Sequence, residues 1–285
     1  MPRFGAHAFV WIPDWTPEAG NYAIAQAGKV GYDFLEIPLL KPAQFNPMDH
    51  KHAIADAGIE VCASLVLPRD SHMPHEPEKA KRFLFLAMDK LEAIGGNYLC
   101  GCIGFAHGFM TGAPPTDEEI QVITETLAEV AAEAQRRGMR LGLEVCNRYE
   151  TYVFNTLEDA QKVVNGVRAM GFPNIDVHGD TYQMTVEEEG FYKPIVACAD
   201  TLGYMHISES HRGLPGTGTV NWDEVFRALV DANFKGPLAI ESFAAINDDL
   251  IAATCLWRPP NRPPDVLAAE GLRFMREKSA EYGLA

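Results

Sequence analysis

Four residues stand where chemistry is easiest to place: Glu144, Asp180, His206 and Glu241, which close or nearly close the apolar runs LGLE, DVHGD, GYMH and LAIE. A carboxylate at the end of a buried apolar run is costly unless it is paired or coordinated. Any one of them alone reads as a polar strand end bonded to a neighbouring loop. Their coincidence on consecutive runs points instead to a shared cation. Three carboxylates and one imidazole form a hard, oxygen-rich donor set, which suits Mn2+, or its relatives Mg2+ and Co2+, whereas structural zinc would draw on thiolates and more histidine. Mn2+ is the expected metal.

Beyond two of these positions lie Glu150, in EVCNRYE, and Arg212, in HISESHRG. A carboxylate and a guanidinium there could contact a polyhydroxylated ligand, and a surface salt bridge is an equally open reading. The other histidines carry less. His72 and His75 form an HxxH in a Pro-rich stretch and read as a solvated pair, His50 and His52 as surface residues, and His178, between Asp176 and Asp180, as a support rather than a ligand. Phe9, Trp11, Trp15, Phe105, Phe109 and Trp257 could wall a site, although aromatic residues are more often packing.

The elements that must position these groups are legible as an alternation. Eight β-rich runs occur, at 4–11, 33–38, 60–67, 97–104, 140–146, 174–180, 203–209 and 237–243, with amphipathic stretches between them. Helix starts are marked by Thr16 before Pro17, Thr116 with Glu119 and Asn221 with Glu224; Gly58 and Gly138 mark helix stops before the next strand. Eight such units predict a parallel sheet covered by helices and closed on itself, an α/β fold of the (β/α)8 TIM-barrel type. An open doubly wound sheet is the alternative, but no GxGxxG follows the first strand and no GxxxxGK[ST] occurs, so no organic cofactor is expected. No linker or repeat divides the chain, so residues 1–285 are expected to form one domain. The irregular stretches 67–77, 104–116 and 256–265 all follow strand ends. In a barrel those ends converge on one mouth, where the four candidate ligands belong.

Composition narrows the function. With 285 residues, 47% hydrophobic and 22% charged, the chain can bury a large core. Its net charge of −15 repels phosphate backbones and anionic lipid, so neither nucleic acid nor membrane is an expected partner. The six cysteines show no CxxC pair and read as reduced thiols. Residues 1–15 lack a signal-peptide pattern and no run approaches a membrane span, which points to a cytoplasmic enzyme.

Taken together, LEVCNRYET (143–151), GDTYQMTVEEEG (179–190), HISESHRGLPGTGTVNWDEVF (206–226), AIESF (239–243) and LWR (256–258) resemble the ketose 3-epimerases. These include the D-tagatose, D-allulose (psicose) and L-ribulose 3-epimerases among the xylose-isomerase-like barrels, and the resemblance runs over nearly the whole chain. It implies that Glu144, Asp180, His206 and Glu241 bind the metal, that Glu144 and Glu241 are also the catalytic acid and base, and that Glu150, Gln183 and Arg212 bind substrate. The family commonly has a histidine where DTYQM places Gln183. Gln183 can donate and accept hydrogen bonds but carries no charge, so the O1 and O2 side of the sugar is expected to be held differently.

The implied reaction inverts C3 of a free ketose. Removing the C3 proton yields an enediolate, and a divalent cation stabilises the charge that builds on O2. The nearest alternative is an aldose–ketose isomerase, including one like hydroxypyruvate isomerase, which would use the same groups to move a proton between C1 and C2. A phosphodiesterase of the endonuclease IV kind would want more histidines and a basic rim. A sugar- or metal-binding barrel without catalysis is the remaining reading. By resemblance a homodimer or homotetramer is expected.

Overall fold

The computed structural model describes residues 2–258 and 262–284. Eight parallel strands close into a barrel in sequence order: β1 (Phe4–His7), β2 (Phe34–Pro38), β3 (Glu60–Leu67), β4 (Tyr98–Ala106), β5 (Arg140–Glu144), β6 (Ile175–Asp180), β7 (Leu202–Ile207) and β8 (Leu238–Ile240). Around them lie α1 (Pro17–Val30), α2 (Lys51–Ala57), α3 (Pro77–Ala93), α4 (Asp117–Arg136), α5 (Leu157–Ala169), α6 (Thr181–Glu187), α7 (Tyr192–Ala197), α8 (Trp222–Asp231), α9 (Asp248–Thr254) and α10 (Pro264–Tyr282). This is the (β/α)8 barrel expected from the alternation. Among the described residues no helix is long and apolar enough to cross a membrane.

The start signals work as their chemistry requires. Thr116 Oγ1 accepts from the Glu119 amide while the Glu119 carboxylate accepts from the Thr116 amide, closing a capping box on α4. Thr16 and Asn221 accept from the amides of Ala19 and Glu224. After α2, Gly58 adopts φ +63° and returns amide bonds to Ile54 and Ala55, so the chain turns back to the sheet without side-chain strain. Gly101 has a different task. At φ +98° it lies so close to β3 that a Cβ would fall 2.4 Å from the Leu65 carbonyl, and just beyond it the β3–β4 pairing jumps from Cys102 to Ala106. That irregularity carries the end of β4 to the mouth.

Some boundaries differ from those read in the sequence. β1 stops at His7 rather than Trp11, because His7 Nδ1 accepts from the Phe9 amide and turns residues 8–10 into a 3-10 helix. β8 ends at Ile240, leaving Glu241 just beyond it. His72 is buried rather than solvated: its Nδ1 accepts from the Ala106 amide and its ring stacks on Phe109 at 4.2 Å. His75 is exposed, as expected, and reaches Glu119 at 3.1 Å. His50 is also buried, between Trp15 and Phe45, while His52 is exposed as expected. All six cysteines are free thiols. The stretch 256–265 includes residues 259–261, which lie outside the described residues.

Strand register sets the functional level. Glu144 pairs with His178 across β5 and β6, Asp180 with His206 across β6 and β7, and Ile207 with Ile240 across β7 and β8. The four candidate ligands therefore arrive at adjacent positions around the C-terminal rim.

Candidate active site

Each of the four residues is carried by the rigid end of a strand. Glu144 and Asp180 terminate β5 and β6, His206 is the penultimate residue of β7, and Glu241 follows β8 directly. All four are buried. His206 Nδ1 lies 3.7 Å from Glu144, 3.8 Å from Asp180 and 3.8 Å from Glu241, so one imidazole nitrogen faces three carboxylates. That nitrogen is buried and has no hydrogen-bond partner. Its opposite, Nε2, lies 2.8 Å from a Glu36 oxygen.

The electrostatics describe a charge deficit. Burial disfavours a charged imidazole, yet Glu36, Glu241 and Glu144 push the His206 pKa up. Burial lifts Asp180 to about 7, against the pull of Arg212 and with the push of Glu241. Burial also raises Glu144, eased by His206 and reinforced by Asp180 and Glu36. Protons must gather wherever this cluster lacks another cation. An orphaned buried nitrogen facing three carboxylates is the donor set a divalent cation fits. Donor atoms of Asp180, His206 and Glu241 lie within 4.8 Å of one another, as do those of Glu144, His178 and His206. His178 thus stands closer to the centre than a support need, with Nδ1 3.8 Å from Glu144 and both ring nitrogens unbonded.

A second ring of groups surrounds the first. Arg212 is buried, stacks over Tyr182 at 3.8 Å, contacts Glu241 directly and lies 3.4 Å from Asp180. It adopts φ +58°, an unusual conformation for a long side chain. Glu150 sits 3.8 Å from its other amino group. Gln183, on α6, donates to Glu150 at 2.8 Å and accepts from the Asn147 amide and side chain at 2.8 and 2.6 Å. Burial opposes it, but His107, Arg212 and Gln183 hold Glu150 at about 2, fully ionised at neutral pH. The structure therefore brings all seven predicted residues to one mouth.

Six of them, all but Asp180, line a cavity of about 150 Å3 with Ser64, Cys102 and Cys146, closed on one side by Phe9, Phe243 and Leu250 of α9. Of the aromatics picked out in the sequence, only Phe9 lines it; Trp11 and Phe105 are core, and Trp257 is exposed. A larger cavity of about 520 Å3 opens at the opposite end, bordered by Arg3, Tyr98, Arg140 and Asp176. It holds none of the four candidate ligands, and its Arg3 and Arg140 are already paired with Glu60 and Asp176. The smaller cavity holds three of the four candidate ligands, Glu144, His206 and Glu241. Sequence reasoning passed over Glu36, His7, His107 and Asn147. A signal existed for Glu36: DFLEIP places a carboxylate within an apolar strand, just as LGLE does.

Comparison with known proteins gives the family. Residues 24–278 match the model of the xylose isomerase-like TIM barrel family. Among curated relatives, the L-ribulose 3-epimerase of Methylomonas sp. (strain DH-1) is 36% identical over 284 residues, covering 97% of each chain. The ketose 3-epimerase of Arthrobacter globiformis is 33% identical, covering 97% of this chain and 96% of its own. The crystal structure of D-allulose 3-epimerase from Methylomonas sp. in complex with D-allulose superposes with a TM-score of 0.92 at 36% identity, over 97% of both chains.

Proposed function

The chain belongs to the ketose 3-epimerases of the xylose isomerase-like TIM barrel family, and from that membership we propose that it inverts C3 of free ketoses such as D-allulose, D-fructose, D-tagatose and L-ribulose. The observation that carries the reading is the unpartnered His206 Nδ1 facing Glu144, Asp180 and Glu241. These four would hold a divalent cation, with Mn2+ preferred over Mg2+ or Co2+. When bound, the cation supplies Lewis-acid stabilisation of the negative charge that builds on the ketose oxygens.

The chain's own residues do the rest. Glu144 and Glu241 come from β5 and from the end of β8, so they approach a bound sugar from different sides. One removes the C3 proton and the other returns a proton to the opposite face, the roles exchanging with the direction of reaction. Arg212, stacked on Tyr182 and held by Asp180 and Glu241, orients the substrate hydroxyls and steadies both carboxylates. Glu150, ionised and fixed by Gln183 and His107, accepts hydrogen bonds from sugar hydroxyls. With its carbonyl committed to Asn147, Gln183 meets the O1 and O2 side of the sugar only through its amide nitrogen. Phe9, Phe243 and Leu250 exclude water from the enediolate.

The same reading takes residues 1–285 as one catalytic unit, active in the cytoplasm as a homodimer or homotetramer with a sugar as its partner. Glu144→Gln and Glu241→Gln test the assignment. Each should abolish epimerisation, by about a thousandfold or more, while circular dichroism stays that of the native barrel. Wild-type turnover in either variant overturns it.

A further inference from the structure

Glu36 sits in the middle of β2, fully buried, paired in register with His7 on one side and Cys62 on the other. Its ion pairs are with His7 and His206; among the described residues no lysine or arginine is paired to it. A carboxylate so placed is expensive to bury, and replacement by an apolar side chain would ordinarily stabilise such a core. Its hydrogen bonds show what it does. One oxygen, Oε2, receives both the Tyr204 hydroxyl at 2.5 Å and His206 Nε2 at 2.8 Å, while Oε1 has no hydrogen-bond partner. Tyr204 and His206 lie two residues apart on β7 and both project into the barrel, so Glu36 reaches both from one place.

We infer that Glu36 is a positioning residue for the metal-binding imidazole, and that Tyr204 in turn fixes Glu36. An acceptor at Nε2 places the proton there and leaves the lone pair on Nδ1, the nitrogen that faces Glu144, Asp180 and Glu241. The same bond fixes the ring plane. Tyr204 is itself locked by stacking on Tyr98, at 5.3 Å and 20° between planes. A chain of contacts, Tyr98 to Tyr204 to Glu36 to His206, thus runs from the floor of the barrel to the candidate metal centre.

This inference rests on the metal reading, and Mn2+ alone, titrated into the chelator-stripped full chain, separates the two. Free Mn2+ is read from its electron paramagnetic resonance signal, without substrate or turnover. Wild type should bind one tight Mn2+; if it binds none, the metal reading falls and this one with it. Given wild-type binding, Glu36→Gln should weaken Mn2+ by about ten- to a hundredfold. Tyr204→Phe, which loses one bond to Glu36 and none to His206, should weaken it by about threefold. Folded Glu36→Gln with wild-type Mn2+ affinity overturns the role of Glu36 and leaves the metal reading intact. Should that variant not fold, Tyr204→Phe decides: a weakened site supports the chain of contacts and wild-type affinity overturns it.

Discussion

Arg212 concentrates the tension of the site in one residue: a buried cation in a left-handed backbone conformation, stacked on Tyr182 and touching the carboxylates of Asp180 and Glu241. Lysine would keep the charge and lose the fork and the stack. Arg212→Lys should therefore lower kcat/KM by about tenfold or more, measured by steady-state epimerisation. Gln183 makes a quieter contribution. Gln183→Leu leaves the Asn147 donors without their acceptor and takes one donor from Glu150, which keeps His107, so unfolding in urea should show a loss of about 1–3 kcal/mol. Glu144, Asp180, His206 and Glu241 were legible in the sequence because charge at the end of an apolar run is conspicuous. His7 was not, and Glu36 was marked only as a carboxylate within the apolar run DFLEIP; they come from β1 and β2, far from the others in the chain, and only barrel closure brings them under His206.

Among the elements, α4 is secured by a double device. The Glu119 carboxylate closes the capping box and also accepts from Tyr152 at 2.6 Å, tying α4 to the loop that bears Glu150. Burial opposes it, but Tyr152, Thr116 and His75 hold Glu119 at about 2, below its ordinary 4.5. A depressed carboxylate contributes stability that is fully present above its unfolded pKa and is lost as pH falls through the folded one. The stability difference between wild type and Glu119→Gln should thus be constant above about pH 5 and shrink as pH falls toward 2, followed by chemical denaturation across that range. The capping pattern at Thr116 announced this helix in the sequence. The end of β1 was less legible, since FVWI reads as strand and only the His7 ring, bonding the Phe9 amide, turns the chain away. The apolar wall of α9 was also missed, because a seven-residue helix leaves little periodicity to read.

At the scale of the molecule, the barrel gathers negative charge at one end of an already acidic chain of net charge −15. Such a centre stores instability that cation binding relieves. At about a hundred times its dissociation constant, Mn2+ should add about 2.7 kcal/mol to folding stability and raise Tm, and excess chelator should reverse the gain in differential scanning calorimetry. The barrel itself was legible as eight β-rich runs with glycine stops such as Gly58 and Gly138, because parallel strands buried on both faces and helix-ending glycines leave strong marks. Glu150, Gln183 and Arg212 come from separate segments that follow β5, β6 and β7, and their spacing is a property of the closed barrel rather than of any one segment.

Proton exchange at C3 is what distinguishes a 3-epimerase from an aldose–ketose isomerase, and one measurement reaches it directly. The protein is stripped with chelator, restored with Mn2+, and incubated in heavy water with D-fructose, D-tagatose and L-ribulose while proton NMR follows the label. Metal-dependent deuterium at C3, together with appearance of the C3 epimer, is the predicted result. Label at C1 or C2 with an aldose product would make the protein an aldose–ketose isomerase, and no metal-dependent label from any of the three sugars would contradict catalysis on free ketoses.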